Sequence, residues 1–267
     1  MTTSTPTLSN IAFGDNPGRW PLPAAVTAED LWLRAVAAGG QGRYSSAVAD
    51  LELLRRRSRG SLVSLAHSTR ASFLRQLGWH DRARSWDGRA SALAGSDPEA
   101  GADALIGLAA DALGVGRFAA SARALDRAAE LGAESARIGV RLAWVSAELA
   151  MGRGQGTAAV EHAQRAVAAA AAFGSARHTL KSDVVLAAAL CCTGDLDGSR
   201  QVAEAALDDA EHHGMIPLRW ALASLLVGIG STTRSPAEVI AIRDGSADTV
   251  RSRGGVWATS CDGSTAS

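Results

Sequence analysis

The chain has 267 residues, 47% of them hydrophobic and 20% charged, with 27 basic and 27 acidic side chains. This describes a folded globular protein of one or two domains, and the balance leaves the chain as a whole no pull toward nucleic acid or anionic lipid. Cysteine is used only at Cys191, Cys192 and Cys261, two of them adjacent; this is no disulfide framework and fits a reducing compartment.

Residues 1–26 carry Pro6, Pro17, Pro21 and Pro23 among polar filler and are expected to be irregular. No basic start followed by an apolar run marks a signal peptide. The longest apolar stretch, Ala166–Phe173, is too short to span a bilayer. The expected location is the cytoplasm. Thr27 opens the first helix, with Asp30 three residues on as a weak capping box.

From there five glycines recur: Gly42, Gly78, Gly116, Gly154 and Gly194, at intervals of 36, 38, 38 and 40 residues. Seven before each stands Ala35, Ala71, Ala109, Ala147 or Ala187. Five after it stands Ala47, Ala83, Ser121, Ala159 or Ser199. Twelve after it stands Leu54, Ala90, Ala128, Ala166 or Ala206. A fixed period of this size marks stacked repeats. Small residues in phase let paired helices cross closely, and glycine fits the turn between them. The spacing predicts helix pairs at 27–40 with 44–57, 61–77 with 80–94, 98–114 with 117–131, 134–151 with 157–173, and 176–192 with 196–212. A sixth pair begins at Pro217, with Ala223 in phase seven before Gly230; its second helix, from Pro236 to about Arg243, reads as truncated. Residues 244–267 are Ser-, Gly- and Thr-rich and are expected to be disordered. Trp257 is the odd residue there and a candidate to fold back into the groove.

Gly42-Arg43-Tyr44-Ser45-Ser46-Ala47 and Gly116-Arg117-Phe118-Ala119-Ala120-Ser121 resemble the turn of a tetratricopeptide repeat (TPR). The resemblance covers residues 27–243. It departs in the longer period, the missing closing proline and the missing early tryptophan. It implies an all-α, right-handed α-solenoid of about five TPR-like helix-turn-helix repeats plus a truncated C-terminal sixth. It also implies that the first helix of each pair, helix A, lines a groove. Counting back from each turn glycine, that surface takes Trp32, Ser68, Ile106, Trp144, Val184 and Trp220 at ten before. Thirteen before brings Asp103, Arg141 and Lys181; six before, Val36 and Glu148; three before, Arg75. These twelve are the candidate partner-binding residues, an apolar, Trp-bearing floor with sparse charges that suits a peptide or helix of a partner protein. Two readings of the Trp row stand: groove floor, or packing between helices after a one-residue shift of phase.

No phosphate-binding loop, zinc-protease motif or nucleophile elbow is present. Cys191-Cys192 and His212-His213 diverge around their helices and hold no ligand spacing. No catalytic residue, cofactor or metal is expected. Arg55-Arg56-Arg57-Ser58-Arg59 closes a helix, where cations are favoured, and lacks the interleaved aromatics of a nucleic-acid surface, so nucleic acid is not the expected partner. The reading is a non-enzymatic interaction scaffold or adaptor. The alternative is a regulatory or sensor module acting on a transcription or signalling partner, with or without a small ligand. A homodimer through the face around Leu218–Ile229 is left open. The balance of 26 Arg to one Lys points to a high-GC bacterial genome.

Overall fold

The computed structural model describes residues 7–132 and 134–258, and all regular structure in them is helical. A short helix, α1 (Leu8–Phe13), precedes six antiparallel pairs. These are α2 (Ala28–Gly40) with α3 (Tyr44–Arg57), α4 (Ser61–Gln76) with α5 (His80–Leu93), and α6 (Pro98–Gly114) with α7 (Phe118–Gly132). They continue as α8 (Ala136–Gly152) with α9 (Gly156–Phe173), α10 (Ala176–Thr193) with α11 (Leu196–His212), and α12 (Ile216–Ile229) with α13 (Pro236–Ser252).

The repeat signal has a direct physical origin. All five register glycines are left-handed, with φ between +70° and +87°, and each closes the preceding helix with the same two bonds. At Gly116 the Arg117 amide donates to the Ala112 carbonyl at 2.8 Å, and the Gly116 amide to that of Leu113 at 2.9 Å. This pairing satisfies carbonyls that a helix end leaves free. The phased small residues are the contact points. Ala35, Ala71, Ala109, Ala147, Ala187 and Ala223 are completely buried, as are their partners from Ala47 to Ser199 on the second helices. Ser199 adds a bond, its hydroxyl donating to the Ala187 carbonyl at 2.8 Å. The Thr27–Asp30 capping box is formed in full.

Two expectations about the ends need correction. Residues 1–26 are not wholly irregular, because α1 forms within them, capped by Thr7. Six residues cannot hold a helix alone; Leu8, Ile11 and Ala12 are buried in one core with Leu31, Trp32 and Val36 of α2. Nor does the last helix stop near Arg243. It starts at a Ser235–Glu238 capping box and runs to Ser252, with Val239, Ala247 and Val250 buried along one side. Residues 244–258 are therefore ordered, while the rest of the expected tail lies outside the described residues.

These ends close the array on itself. Val250 of α13 shares the core of α2 and α3. The Arg253 side chain donates to the Gln41 carbonyl at 2.7 Å, and the Ser45 amide donates to the Arg253 carbonyl at 3.1 Å. The Trp79 indole donates to the Val256 carbonyl and the Ala258 amide to that of Leu77, both at 2.7 Å. At the other face the N-terminal segment bridges α2 and α10. The Gln41 amide group donates to the carbonyls of Pro17 and Arg19, and the Ala176 amide donates to that of Gly14. The face of α12 expected to stand open is covered by α13, and Trp257 stacks on Trp220 with centroids 4.4 Å apart. A groove that would be open along a free-ended solenoid becomes a central, partly open cavity.

Candidate functional site

The first helix of every pair contributes to one central cavity of about 370 Å³. Its wall includes Gly40 of α2, Ser72, Arg75 and Gln76 of α4, and Ile106, Ala110 and Leu113 of α6. Arg141, Trp144 and Glu148 come from α8, Arg177, Lys181 and Val184 from α10, and Leu218, Trp220 and Ala221 from α12. A shallower hollow of about 510 Å³ adjoins it, sharing Arg75, Gln76 and Trp220 and adding Trp257, Arg243 and Arg251.

Eight of the twelve residues picked out by counting line this cavity: Arg75, Ile106, Arg141, Trp144, Glu148, Lys181, Val184 and Trp220. Trp32, Val36, Ser68 and Asp103 do not; all four are buried. Trp32 donates its indole N–H to the Thr69 hydroxyl at 3.0 Å, and the Phe13 ring lies 5.5 Å from it. Phe13 also meets His178, which stacks on Trp144 at 5.2 Å. The chain's own N-terminal segment thus occupies the part of the groove where Trp32 was expected to meet a partner. The Trp row divides, with Trp32 in the core and Trp144 and Trp220 on the cavity wall. Trp144 is held by an indole bond to Ser182 Oγ at 2.8 Å.

The charges on the wall are tied unevenly. Arg75 binds two buried carboxylates, Asp87 of α5 and Asp111 of α6, the latter at 2.9 Å. Burial pushes both aspartates above the ordinary carboxylate range, the charge of Asp111 adds to the rise at Asp87, and Arg75 only partly offsets this. Asp103 is the opposite case. Burial would raise it, yet Arg137 at 3.1 Å and Arg141 at 2.8 Å hold it below the usual range. Arg137 also binds Glu99 at 2.8 Å, and Lys181 binds Glu148 at 3.1 Å.

Arg177, which counting missed, has no hydrogen-bond or ion-pair partner among the described residues. It lies against Gly40, where a β-carbon would come 3.3 Å from its Cδ. Burial, with Arg141 and Arg137 nearby, lowers its pKa to about 10, so it stays cationic at neutral pH. The same surroundings push His178 well below its ordinary value, leaving it neutral. Arg177 stands seventeen before Gly194, one helical turn beyond the outermost row carried over from the family. The readable signal was a repeated pair four residues apart, Arg137 with Arg141 and Arg177 with Lys181, at matching places in consecutive repeats.

Other candidates from the sequence are placed elsewhere. Arg55 binds Glu52 and, with Arg70 and Arg89, packs around the Trp86 ring. An outer hollow of about 610 Å³ contains Glu204, whose carboxylate is already bonded by Ser231, Thr232 and Thr233 of the α12–α13 turn. Among the described residues no cluster of three or more His, Cys, Asp or Glu could hold a metal ion, and no helix is long and apolar enough to cross a membrane.

No protein-family model matches the chain, and no curated protein matches it in sequence. Among solved structures it is similar to the crystal structure of a Rap protein complexed with competence and sporulation factor, with a TM-score of 0.65 over 86% of this chain and 68% of that one. It shares that helical-repeat fold. At 13% identity the likeness speaks for the fold and not for a common ligand.

Proposed function

We propose that the chain is a non-enzymatic binding module that captures a short segment of a partner protein in the central cavity. The observation that carries this reading is the convergence of six helix-A faces on one cavity whose wall is apolar at Trp144, Val184, Leu218 and Trp220 and charged at Arg75, Arg141, Glu148, Arg177 and Lys181. Apolar pockets with a few placed polar groups are the usual form of a ligand site. Pairing with a partner protein also accords with the related fold, whose Rap example was solved with competence and sporulation factor bound.

The enclosure narrows what can enter. The cavity's volume of about 370 Å³ suits a segment of a few residues rather than a whole folded partner. The small volume also favours a second reading, a sensor whose cavity takes a small ligand and which then acts on a regulatory partner.

The test is to fill the cavity. Ala110→Trp places an indole in the space between α6 and the opposite wall. Peptides selected on the wild-type protein from a random library should lose binding to this variant while its helical circular dichroism stays intact. Peptides that bind both proteins equally would place binding on the outer surface.

A further inference from the structure

The wall of the cavity carries a ladder of charge that ends without its counter-charge. At seventeen and thirteen before the turn glycine, α6 presents Glu99 and Asp103, α8 presents Arg137 and Arg141, and α10 presents Arg177 and Lys181. The step from α6 to α8 is acid against base, and its ion pairs are made. The step from α8 to α10 is base against base. Lys181 escapes by binding Glu148, a turn and more further along α8. Among the described residues Arg177 has no such partner.

Like charges four residues apart on one helix are unfavourable, and among the described residues the half-buried Arg177 guanidinium at the cavity wall has no acceptor to offset this. Arg177 packs against Gly40, neutral His178 and Met215, and the charges nearest to it, Arg141 and Arg137, are cationic as well. The folded chain tolerates this arrangement at the wall of its central cavity. Of the four cations on that wall, Arg75, Arg141 and Lys181 are paired with carboxylates and Arg177 is not paired among the described residues.

From this ladder we propose that Arg177 is the anchor for an acidic side chain of the captured peptide, an Asp or Glu flanked by apolar residues. The inference rests on the peptide-binding reading above and adds the chemical class of the ligand. A carboxylate entering beside Arg177 supplies the missing rung between α8 and α10, in the fork geometry that guanidinium and carboxylate share. The apolar neighbours of that acid meet Trp144, Val184 and Leu218, which present no polar group for a second charge. A basic segment would find no free carboxylate on this wall, since Glu148 is already held by Lys181.

The probe is a library of random heptapeptides, acetylated at the N-terminus and amidated at the C-terminus, so that any carboxylate in it is a side chain. The library is selected on wild-type protein, on Arg177→Gln and on Ala110→Trp. The expected result is enrichment of peptides with Asp or Glu at one fixed position. Replacing that residue by Asn or Gln should weaken wild-type binding roughly tenfold or more, as loss of a charge-assisted bond does. The same replacement should change binding to Arg177→Gln by less than about twofold, and Arg177→Lys should keep a reduced preference.

Cavity-dependent peptides without an acid, or an acid preference that survives in Arg177→Gln, would overturn the anchor and leave peptide capture standing. Peptides that bind only when the C-terminal amide is replaced by a free acid would reassign the anchor to a chain terminus and overturn the side-chain version. A library that yields nothing sensitive to Ala110→Trp would overturn both. Circular dichroism of each variant separates loss of binding from loss of fold.

Discussion

Arg75→Met removes the one cation shared by two buried carboxylates. Asp87 is wholly buried, Asp111 is 1% exposed and the Arg75 side chain 11%, so the two carboxylates depend on the guanidinium for their counter-charge. Breaking a buried pair by deleting one partner costs about 3–5 kcal/mol. In a protein of this length about 2 °C of melting temperature corresponds to 1 kcal/mol, so the expected drop is roughly 6–10 °C. The sign with pH follows from the aspartates. Their folded pKa values already lie above the ordinary value of about 4 because burial disfavours the charged form. Groups raised on folding contribute stability that is full below that ordinary value and lost as pH rises through the folded one. Without Arg75 both values climb further, so the variant should lose more at pH 8 than at pH 5. Thermal unfolding followed at 222 nm at the two pH values measures this directly. Adding Asp87→Asn and Asp111→Asn to the variant should flatten the dependence. A melting point within about 1 °C of wild type, or an equal loss at both pH values, would refute the reasoning.

Glu204 behaves in the opposite sense. Despite a contribution from burial that raises it, its bonds from Ser231, Thr232 and Thr233 pull it down to about 2. Its stabilisation is present above the ordinary carboxylate value and is lost as pH falls from there toward 2; Glu204→Gln should cost about 1–3 kcal/mol at pH 7 and abolish that acid-range loss in a pH series of melts. Gly116→Ala should destabilise by about 1 kcal/mol, because the φ of +74° is strained for alanine although open space surrounds the site. Gly88→Ala, inside α5 and equally unobstructed, should stabilise by about 0.5–1 kcal/mol; equal effects at the two glycines in denaturant unfolding would contradict the turn assignment. Trp257→Ala should shift Trp220 emission to the red and speed hydrogen exchange at the Ala258 amide, which donates to Leu77. Unchanged exchange would show that the C-terminal segment closes the ring without Trp257.

The repeat itself was legible because it is local. A left-handed glycine, an alanine seven before it and a small residue five after it are demanded by one helix pair, whatever the other pairs do. The predicted helix limits accordingly fall within a few residues of those observed from α2 to α11. Closure was not legible, because it depends on contacts between residues about 170–210 positions apart, such as Trp79 with Val256 and Gln41 with Arg253. Those contacts are made by single bonds and a few apolar atoms that leave no periodic trace. The same gap explains the site. Counting from the glycines placed Trp144, Glu148 and Lys181 on the cavity wall, since their phase is a property of one helix. It mistook Trp32, because a six-residue helix from a proline-rich segment covers it. It missed Arg177, because only in a closed ring does the next turn of α10 meet Gly40 of α2.

The central claim is that the ligand enters the space enclosed by the first helices. Photocrosslinking from a benzophenone side chain at position 110, against the same probe at the exposed position 130 on α7, tests it most directly. Peptides selected on the wild-type protein should crosslink from position 110 and not from position 130. Adducts formed from position 130 alone would contradict the account and move the binding surface to the outer helices.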